Sequence, residues 1–105
     1  MTNTAYECRH DSNEKVDRKL RYWQVKQCLQ NREMTAREVA EEMFKRHYTN
    51  NAERNNAAPR LTELVENGIV ETCGKKEDFL TGKKVTLYRL IERYKQMSFR
   101  DFMEA

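Results

Sequence analysis

The stretch that most constrains the fold is NAAPRLTELVENGIV, residues 56–70. Three of its aliphatic residues are spaced i, i+3 and i+4, which puts their side chains on one face of a helix: Leu61, Leu64 and Val65. Gly68 is typical of the position just after a helix, and the apolar pair Ile69-Val70 is typical of a strand. The sequence therefore predicts a helix with one buried face that ends at Gly68 and passes directly into a strand.

The start of this helix is constrained by Pro59. Proline has no backbone N–H and breaks a helix interior, but it is tolerated in a first turn, where N–H groups have no partner within the helix. We therefore expect the helix to begin near Asn55 or Asn56. An earlier start with a kink at Pro59 is the alternative.

Two further helices are expected before this one. The first runs from about Lys15 to Asn31, a segment without glycine or proline. Its large apolar residues lie on two nearly opposite faces: Val16, Leu20 and Trp23 on one, and Tyr22, Val25 and Leu29 on the other. Both faces need a partner, because large apolar patches are rarely exposed on monomers. One face would pack in the core, and the other on the C-terminal segment or on a second chain.

The second helix has a well-specified start. The Thr35 hydroxyl can accept a hydrogen bond from the Glu38 N–H while the Glu38 carboxylate reaches back to the Thr35 N–H, which is the capping-box arrangement. Residues with helical spacing then form one buried face up to about Tyr48: Ala36, Val39, Ala40, Met43, Phe44 and His47. A polar stretch rich in asparagine, residues 49–55, separates this helix from the third.

After the third helix the pattern becomes that of strands. Residues 69–73 and 85–90 are rich in β-branched and aromatic side chains, which predicts a hairpin with a long charged tip. Ser98 can cap a short helix near the C-terminus. We therefore expect a mainly α fold with a small β-hairpin, in the α+β class. The expected parts are a flexible N-terminal tail (1–14), a domain (15–90) and a C-terminal helical extension (91–105).

Composition excludes several classes of protein. The 105 residues suffice for one domain with a modest core. No apolar run approaches the length of a membrane span, and three cysteines without a CxxC pair indicate reduced thiols in a cytoplasmic protein: Cys8, Cys28 and Cys73. No metal-ligand set, Gly-rich phosphate loop or nucleophile–histidine pair is present. We therefore predict no enzymatic activity, no cofactor, no membrane association and no identifiable small-molecule ligand.

The order of three helices and a hairpin resembles the winged helix-turn-helix superfamily. The phrases that carry the resemblance are TAREVA (35–40) opening the second helix and PRLTELVENGIV (59–70) closing the third. The chain is most similar to small phage and prophage DNA-binding proteins and to regulators of the multiple-antibiotic-resistance type, and TGKKVTLYRL (81–90) resembles the wings of such phage proteins. The match covers roughly residues 15–90. The polar link of residues 49–55 is longer than the usual tight turn of this superfamily.

The resemblance implies a double-stranded DNA-binding protein, with a role as a phage or prophage transcriptional regulator or replication accessory. The third helix would lie in the major groove, with its N-terminal half at the base edges. With the aliphatic stripe inward, the outward face would carry Asn55, Asn56, Pro59 and Glu63, with Arg60 and Thr62 at its edges. Four lysines around the hairpin tip suit phosphate contacts. The predicted DNA-binding residues are Asn55, Asn56, Arg60, Thr62, Lys75, Lys76, Lys83 and Lys84.

The hairpin tip also carries groups that oppose or extend this prediction. Glu77 and Asp78 would offset part of the lysine charge. We expect Phe79 and Leu80 to pack beneath their own loop, with insertion into a minor groove as the alternative.

Two predictions concern partners. A homodimer would form through the second apolar face of the first helix together with Phe99, Phe102 and Met103, and would bind a pseudo-palindrome. The alternative function is a winged-helix module that binds a protein and no DNA. Glu63 and Glu66 on the third helix and the net charge of only +3 favour that alternative, while the lysine-flanked tip favours DNA.

Overall fold

The computed structural model describes residues 17–104. The predicted tail (1–14), Val16 and Cys8 lie outside these residues. The described chain has an α+β fold, with four helices and one three-stranded antiparallel sheet. Its elements are α1 (17–28), β1 (Met34–Thr35), α2 (Ala36–Lys45), a 3-10 turn (Arg54–Asn56), α3 (Ala58–Glu66), β2 (Val70–Glu77), β3 (Lys84–Leu90), a second 3-10 turn (Glu92–Tyr94) and α4 (Phe99–Glu104).

One hydrophobic core joins α1, α2, α3 and the sheet. Its buried members include Val25 and Leu29 from the first helical segment, Val39 and Met43 from α2, Leu61 and Leu64 from α3, and Val70 and Leu90 from the strands. Of the two apolar faces predicted for the first helix, the one that carries Val25 and Leu29 is therefore the face in the core. Cys28 is also in the core, and burial raises the pKa of its thiol to about 11. Cys28 and Cys73 are both free thiols.

The start of α2 confirms the predicted capping box. The Thr35 N–H donates to Glu38 Oε1 at 2.9 Å, and the Glu38 N–H donates to Thr35 Oγ1 at 3.3 Å. The end of the helix was predicted too late, because α2 stops at Lys45 and His47 adopts a left-handed backbone with φ 64°. The buried face therefore closes at Met43, and Phe44 is 44% exposed.

The beginning of α3 differs from the prediction by about two residues. Residues Arg54–Asn56 form a 3-10 turn, and α3 proper begins at Ala58 with Pro59 in its first turn. The inward face also differs, because the fully buried Ala57 joins Leu61 and Leu64 while Val65 is 36% exposed. Gly68 has φ 74° and allows the chain to turn from α3 into β2, as expected.

The sheet has one more strand than the predicted hairpin. β1 pairs with β3, with Met34 opposite Tyr88, so the strand order is β1-β3-β2. The hairpin strands are longer than predicted, reaching Glu77 and Lys84, and a bulge lies between Thr72 and Gly74. Two residues are too short for an alternating pattern, so β1 could not be recognised in the sequence.

The second face of the first helix packs on the C-terminal segment of the same chain. The Trp23 ring lies 5.2 Å from that of Phe99 and 5.6 Å from that of Phe102, measured between centroids. Lys19 Nζ donates to the Met103 carbonyl at 2.9 Å. The amide of Asp101 donates to Ser98 Oγ, which confirms the predicted cap of α4. The intrachain alternative for this face is therefore realised, and homodimer formation stays a prediction.

Candidate nucleic-acid interface

A cleft of about 200 Å³ lies between the start of α2, the first 3-10 turn and the hairpin. Four cationic side chains from these three parts of the chain line it: Arg37, Arg54, Lys75 and Lys84. We call this cavity with its four cations the basic cleft. Within residues 17–104, Arg54, Lys75 and Lys84 have no carboxylate within ion-pair distance. Such a convergence of unpaired cations favours the binding of a phosphate anion.

The carboxylate that lines the basic cleft is that of Asp78, and both of its oxygens already bind other groups of the chain. Its side chain is 4% exposed, lies 2.9 Å from Arg37 Nε, and accepts hydrogen bonds from the Thr81 N–H and hydroxyl at 3.2 and 2.9 Å. Burial raises the pKa of Asp78, but the bonds from Thr81 and Arg37 outweigh burial and the pKa lies below its ordinary value. Asp78 lines the same cleft as Lys75 and Lys84, but its direct ion pair is with Arg37 of α2.

The hairpin tip is held in a defined shape by the same residue. The Asp78 N–H donates to the Lys83 carbonyl at 2.8 Å, and the Gly82 N–H donates to the Asp78 carbonyl at 2.8 Å. Phe79 and Leu80 are 61% and 65% exposed. The expectation that these two side chains pack beneath their own loop was wrong. The backbone hydrogen bonds of Asp78 hold the tip in a shape that exposes both side chains to solvent.

The four predicted wing lysines do not act as one group. Lys75 and Lys84 line the basic cleft, and Lys83 is exposed near the tip. Lys76 lies elsewhere, with its Nζ 2.6 Å from Glu38 Oε2. Burial raises the pKa of Glu38, but the bonds from Lys76 and from the Thr35 N–H lower it overall. Successive residues of a strand point to opposite faces, which separates Lys75 from Lys76.

A second groove of about 340 Å³ runs along α2 and contains Lys76. Its charged lining residues are Arg32, Glu33, Glu38, Glu41, Glu42, Lys45 and Lys76. We call it the paired groove. Glu42 lies 2.8 Å from both Arg32 and Arg46, and the hydrogen bond from Arg46 is the largest cause of its lowered pKa. Cations here are matched by carboxylates, so this groove has little attraction left for an anion.

The outward face of α3 also differs from the prediction. Asn55 and Thr62 are exposed, although the Thr62 hydroxyl donates to the Ala58 carbonyl at 3.2 Å. The Asn56 side-chain amide is occupied, since its Nδ2 donates to the Asn51 backbone carbonyl at 3.0 Å and to Asn51 Oδ1 at 2.7 Å. Because Ala57 replaces Val65 on the inward face, the outward face carries Asn55, Pro59, Thr62 and Glu66.

Arg60 and Glu63 lie on the flank of α3 that faces α1. Arg60 Nε is 2.8 Å from Glu63 Oε1, and the Tyr22 hydroxyl donates to the same carboxylate oxygen at 3.0 Å. The pKa of Tyr22 is raised by burial and then by Glu63. Glu63 was wrongly placed in the middle of the outward face. Its carboxylate is held by Arg60 and Tyr22 on the flank that faces α1.

No protein-family model, curated protein or solved structure matches this chain. Within the described residues, no group of three or more potential metal ligands occurs. Nor does any described helix have the length and apolar character needed to cross a bilayer. Interpretation of the site therefore depends on its own geometry and charge.

Two of the four cleft cations, Arg37 and Arg54, are absent from the predicted DNA-binding residues, and Arg54 was the harder to find. It was included in the polar link of residues 49–55, which was considered only as a separator between helices. The 3-10 turn brings its side chain into the lining of the cleft, together with side chains of the hairpin. The only signal in the sequence was that this cation immediately precedes a predicted helix start.

Proposed function

We propose that this protein is a winged helix-turn-helix protein that binds double-stranded DNA, with the basic cleft on the phosphate backbone and α3 towards the major groove. The element order supports the winged-helix part of the proposal: a short strand between the first two helices pairs with a hairpin that follows the third helix. The observation that carries the DNA part is the convergence of Arg37, Arg54, Lys75 and Lys84 on one cavity.

The charges of the cleft support affinity for the backbone more than recognition of a base sequence. Four cations and one carboxylate, already bonded to Arg37 and Thr81, leave an excess of three positive charges. The outward face of α3 offers only Asn55 and Thr62 as hydrogen-bonding readers, and Glu66 on that face repels phosphate. Phosphate contacts fix orientation and supply sequence-independent affinity. We therefore propose that most of the binding free energy comes from the cleft.

The biological role that we propose is that of a cytoplasmic phage or prophage transcriptional regulator or replication accessory. It is supported by the sequence resemblance of residues 15–90 to such proteins. A protein-binding module is the second candidate, and the observation that favours it is the exposure of Phe79 and Leu80 at a tip of fixed shape.

Fluorescence polarisation with a mixed-sequence DNA duplex tests the proposal. With three phosphate contacts from the unpaired cations of the cleft, raising the salt from about 50 to about 200 mM should weaken binding by roughly fortyfold. A Lys75→Ala/Lys84→Ala double variant should weaken binding at low salt and reduce the slope of log affinity against log salt by roughly 1.8.

Lys76→Ala is the matched control, because it removes a lysine from the same hairpin but from the paired groove. It should bind DNA like the parent. If the parent binds no duplex at low salt, DNA binding is wrong and the protein-binding module becomes the better interpretation. If Lys76→Ala weakens binding as much per lysine as the cleft variant, the cleft is not the binding site.

A further inference from the structure

A second group of cations lies outside the basic cleft, in an open groove of about 290 Å³ between α1 and α3. Arg18 and Arg21 of α1 and Arg60 of α3 line it together with Asp17, and we call the three arginines the arginine cluster. The groove and the basic cleft have no lining residue in common. An anion held here would therefore be a different one from an anion held in the cleft.

The two arginines from α1 have hydrogen-bonding capacity that residues 17–104 leave unused. Arg18 and Arg21 are exposed and three positions apart, which places them on the same side of the helix. Neither forms an ion pair within residues 17–104. A guanidinium presents five N–H donors in a planar fork that fits two phosphate oxygens at once.

The side chain of Arg60 is positioned by the carboxylate of Glu63. Its side chain is 27% exposed, and its Nε is buried 2.8 Å from Glu63 Oε1 in an ion pair whose angle does not make a hydrogen bond. The hydrogen bond from Tyr22 fixes Glu63 on this flank. Glu63 therefore orients Arg60 and, as the nearer anion, competes with any phosphate for it.

We propose that the arginine cluster is a second phosphate-binding site, which takes a phosphodiester of the DNA backbone and in which Glu63 competes with that phosphate for Arg60. The inference depends on the proposed DNA-binding function. Arg60 lies on the flank of α3 that faces α1, so a DNA strand that borders a groove occupied by α3 would pass on the side of this cluster. Asp17 lowers the net charge of the groove, so directed bonds from the guanidinium groups supply the binding.

The first test measures the salt dependence of duplex binding for an Arg18→Ala/Arg21→Ala variant by fluorescence polarisation. Both residues are exposed on a helix, and alanine preserves helix propensity, so the fold should be retained. Loss of the one phosphate that the cluster holds should reduce the slope of log affinity against log salt by roughly 0.9. The matched control is Arg93→Ala/Arg100→Ala, which removes two exposed arginines from the C-terminal segment and should keep the slope of the parent.

The second test uses Glu63→Gln, which keeps the size of the side chain and its ability to accept from Tyr22 but removes the charge. Loss of the competing anion should tighten duplex binding by about threefold or more at low salt, as expected for one net charge gained at the interface. Unchanged or weaker binding by Glu63→Gln overturns the competition. An Arg18→Ala/Arg21→Ala slope equal to that of its control overturns the site.

The two proposals fail in different ways. If the parent does not bind duplex DNA, the proposed function fails and the second site fails with it. If the parent binds and Lys75→Ala/Lys84→Ala weakens it while Arg18→Ala/Arg21→Ala does not, only the second site fails.

Discussion

The basic cleft and the paired groove lie on two sides of the first turn of α2, and they use similar residues for different ends. Arg37 lines the cleft, and its neighbour Glu38 lines the paired groove. In the cleft three cations have no carboxylate partner within the described chain, whereas in the paired groove Lys76 and Arg32 each lie within 2.8 Å of a carboxylate oxygen. The number of cations in a region therefore does not decide whether it attracts phosphate. The position of the neighbouring carboxylates decides it.

The strongest way to break this comparison is a matched pair of charge reversals. Arg54→Glu places a carboxylate in the basic cleft and should weaken duplex binding by about tenfold or more at low salt, since one phosphate contact is replaced by repulsion. Lys45→Glu makes the same change of charge in the paired groove and should have a clearly smaller effect. Equal losses for the two variants in fluorescence polarisation would mean that DNA responds to total charge and not to the cleft.

At acid pH the carboxylates of the two regions lose their charge, so the difference in ion pairing between the basic cleft and the paired groove should disappear. Glu38, Glu42 and Asp78 have lowered pKa values in the folded chain. Their ion pairs therefore stabilise the fold at pH values above the unfolded pKa of about 4. This stabilisation is lost as the pH falls through the lowered pKa values of the folded chain. The loss should be about 1 kcal/mol or less each for Glu38 and Glu42, which are partly exposed. Urea unfolding between neutral pH and pH 3 measures it. For Glu38→Gln, the free energy of unfolding should fall less steeply with falling pH. A fall as steep as that of the parent would show that Glu38 does not contribute to the acid dependence.

The smallest expected effect is on the free energy of unfolding of Lys76→Ala. The Lys76 side chain is 52% exposed, so its ion pair with Glu38 should contribute only about 0.5 kcal/mol. The capping box at Thr35 remains intact in this variant and should preserve α2. Thermal unfolding at neutral pH measures the change. A loss several times larger would show that the paired groove is a structural centre and not a solvated surface with matched charges.

The sequence predicts features that depend on a few neighbouring residues. Thr35 and Glu38 are three positions apart and close the capping box without help from the rest of the chain, and Gly68 ends α3 through its own backbone freedom. Features that depend on distant partners were missed or wrong. The prediction put the larger Val65 on the inward face of α3 and left out the small Ala57. Ala57 is nevertheless buried, because the 3-10 turn before α3 directs it towards the core.

The candidate site was harder to predict than the fold for the same reason. Asp78 lies 41 residues from Arg37 in the chain, and no local sequence pattern around either residue indicates their ion pair. Lys75 and Lys76 look alike in the sequence, and only the hairpin register with the position of α2 separates them. Arg54 enters the cleft through the turn before α3, which no periodic pattern indicated.

The packing of Trp23 on Phe99 and Phe102 has a consequence for folding experiments. This is the single tryptophan of the chain, and it lies where α1 meets α4, beside a hydrogen bond that spans 84 residues. A helix of six residues is marginal by itself, and residues 91–98 are all that connects it to β3, so this junction should be the first to open. Intrinsic fluorescence will therefore respond to release of the C-terminal segment before the three-helix core melts, and circular dichroism will respond mainly to the later event.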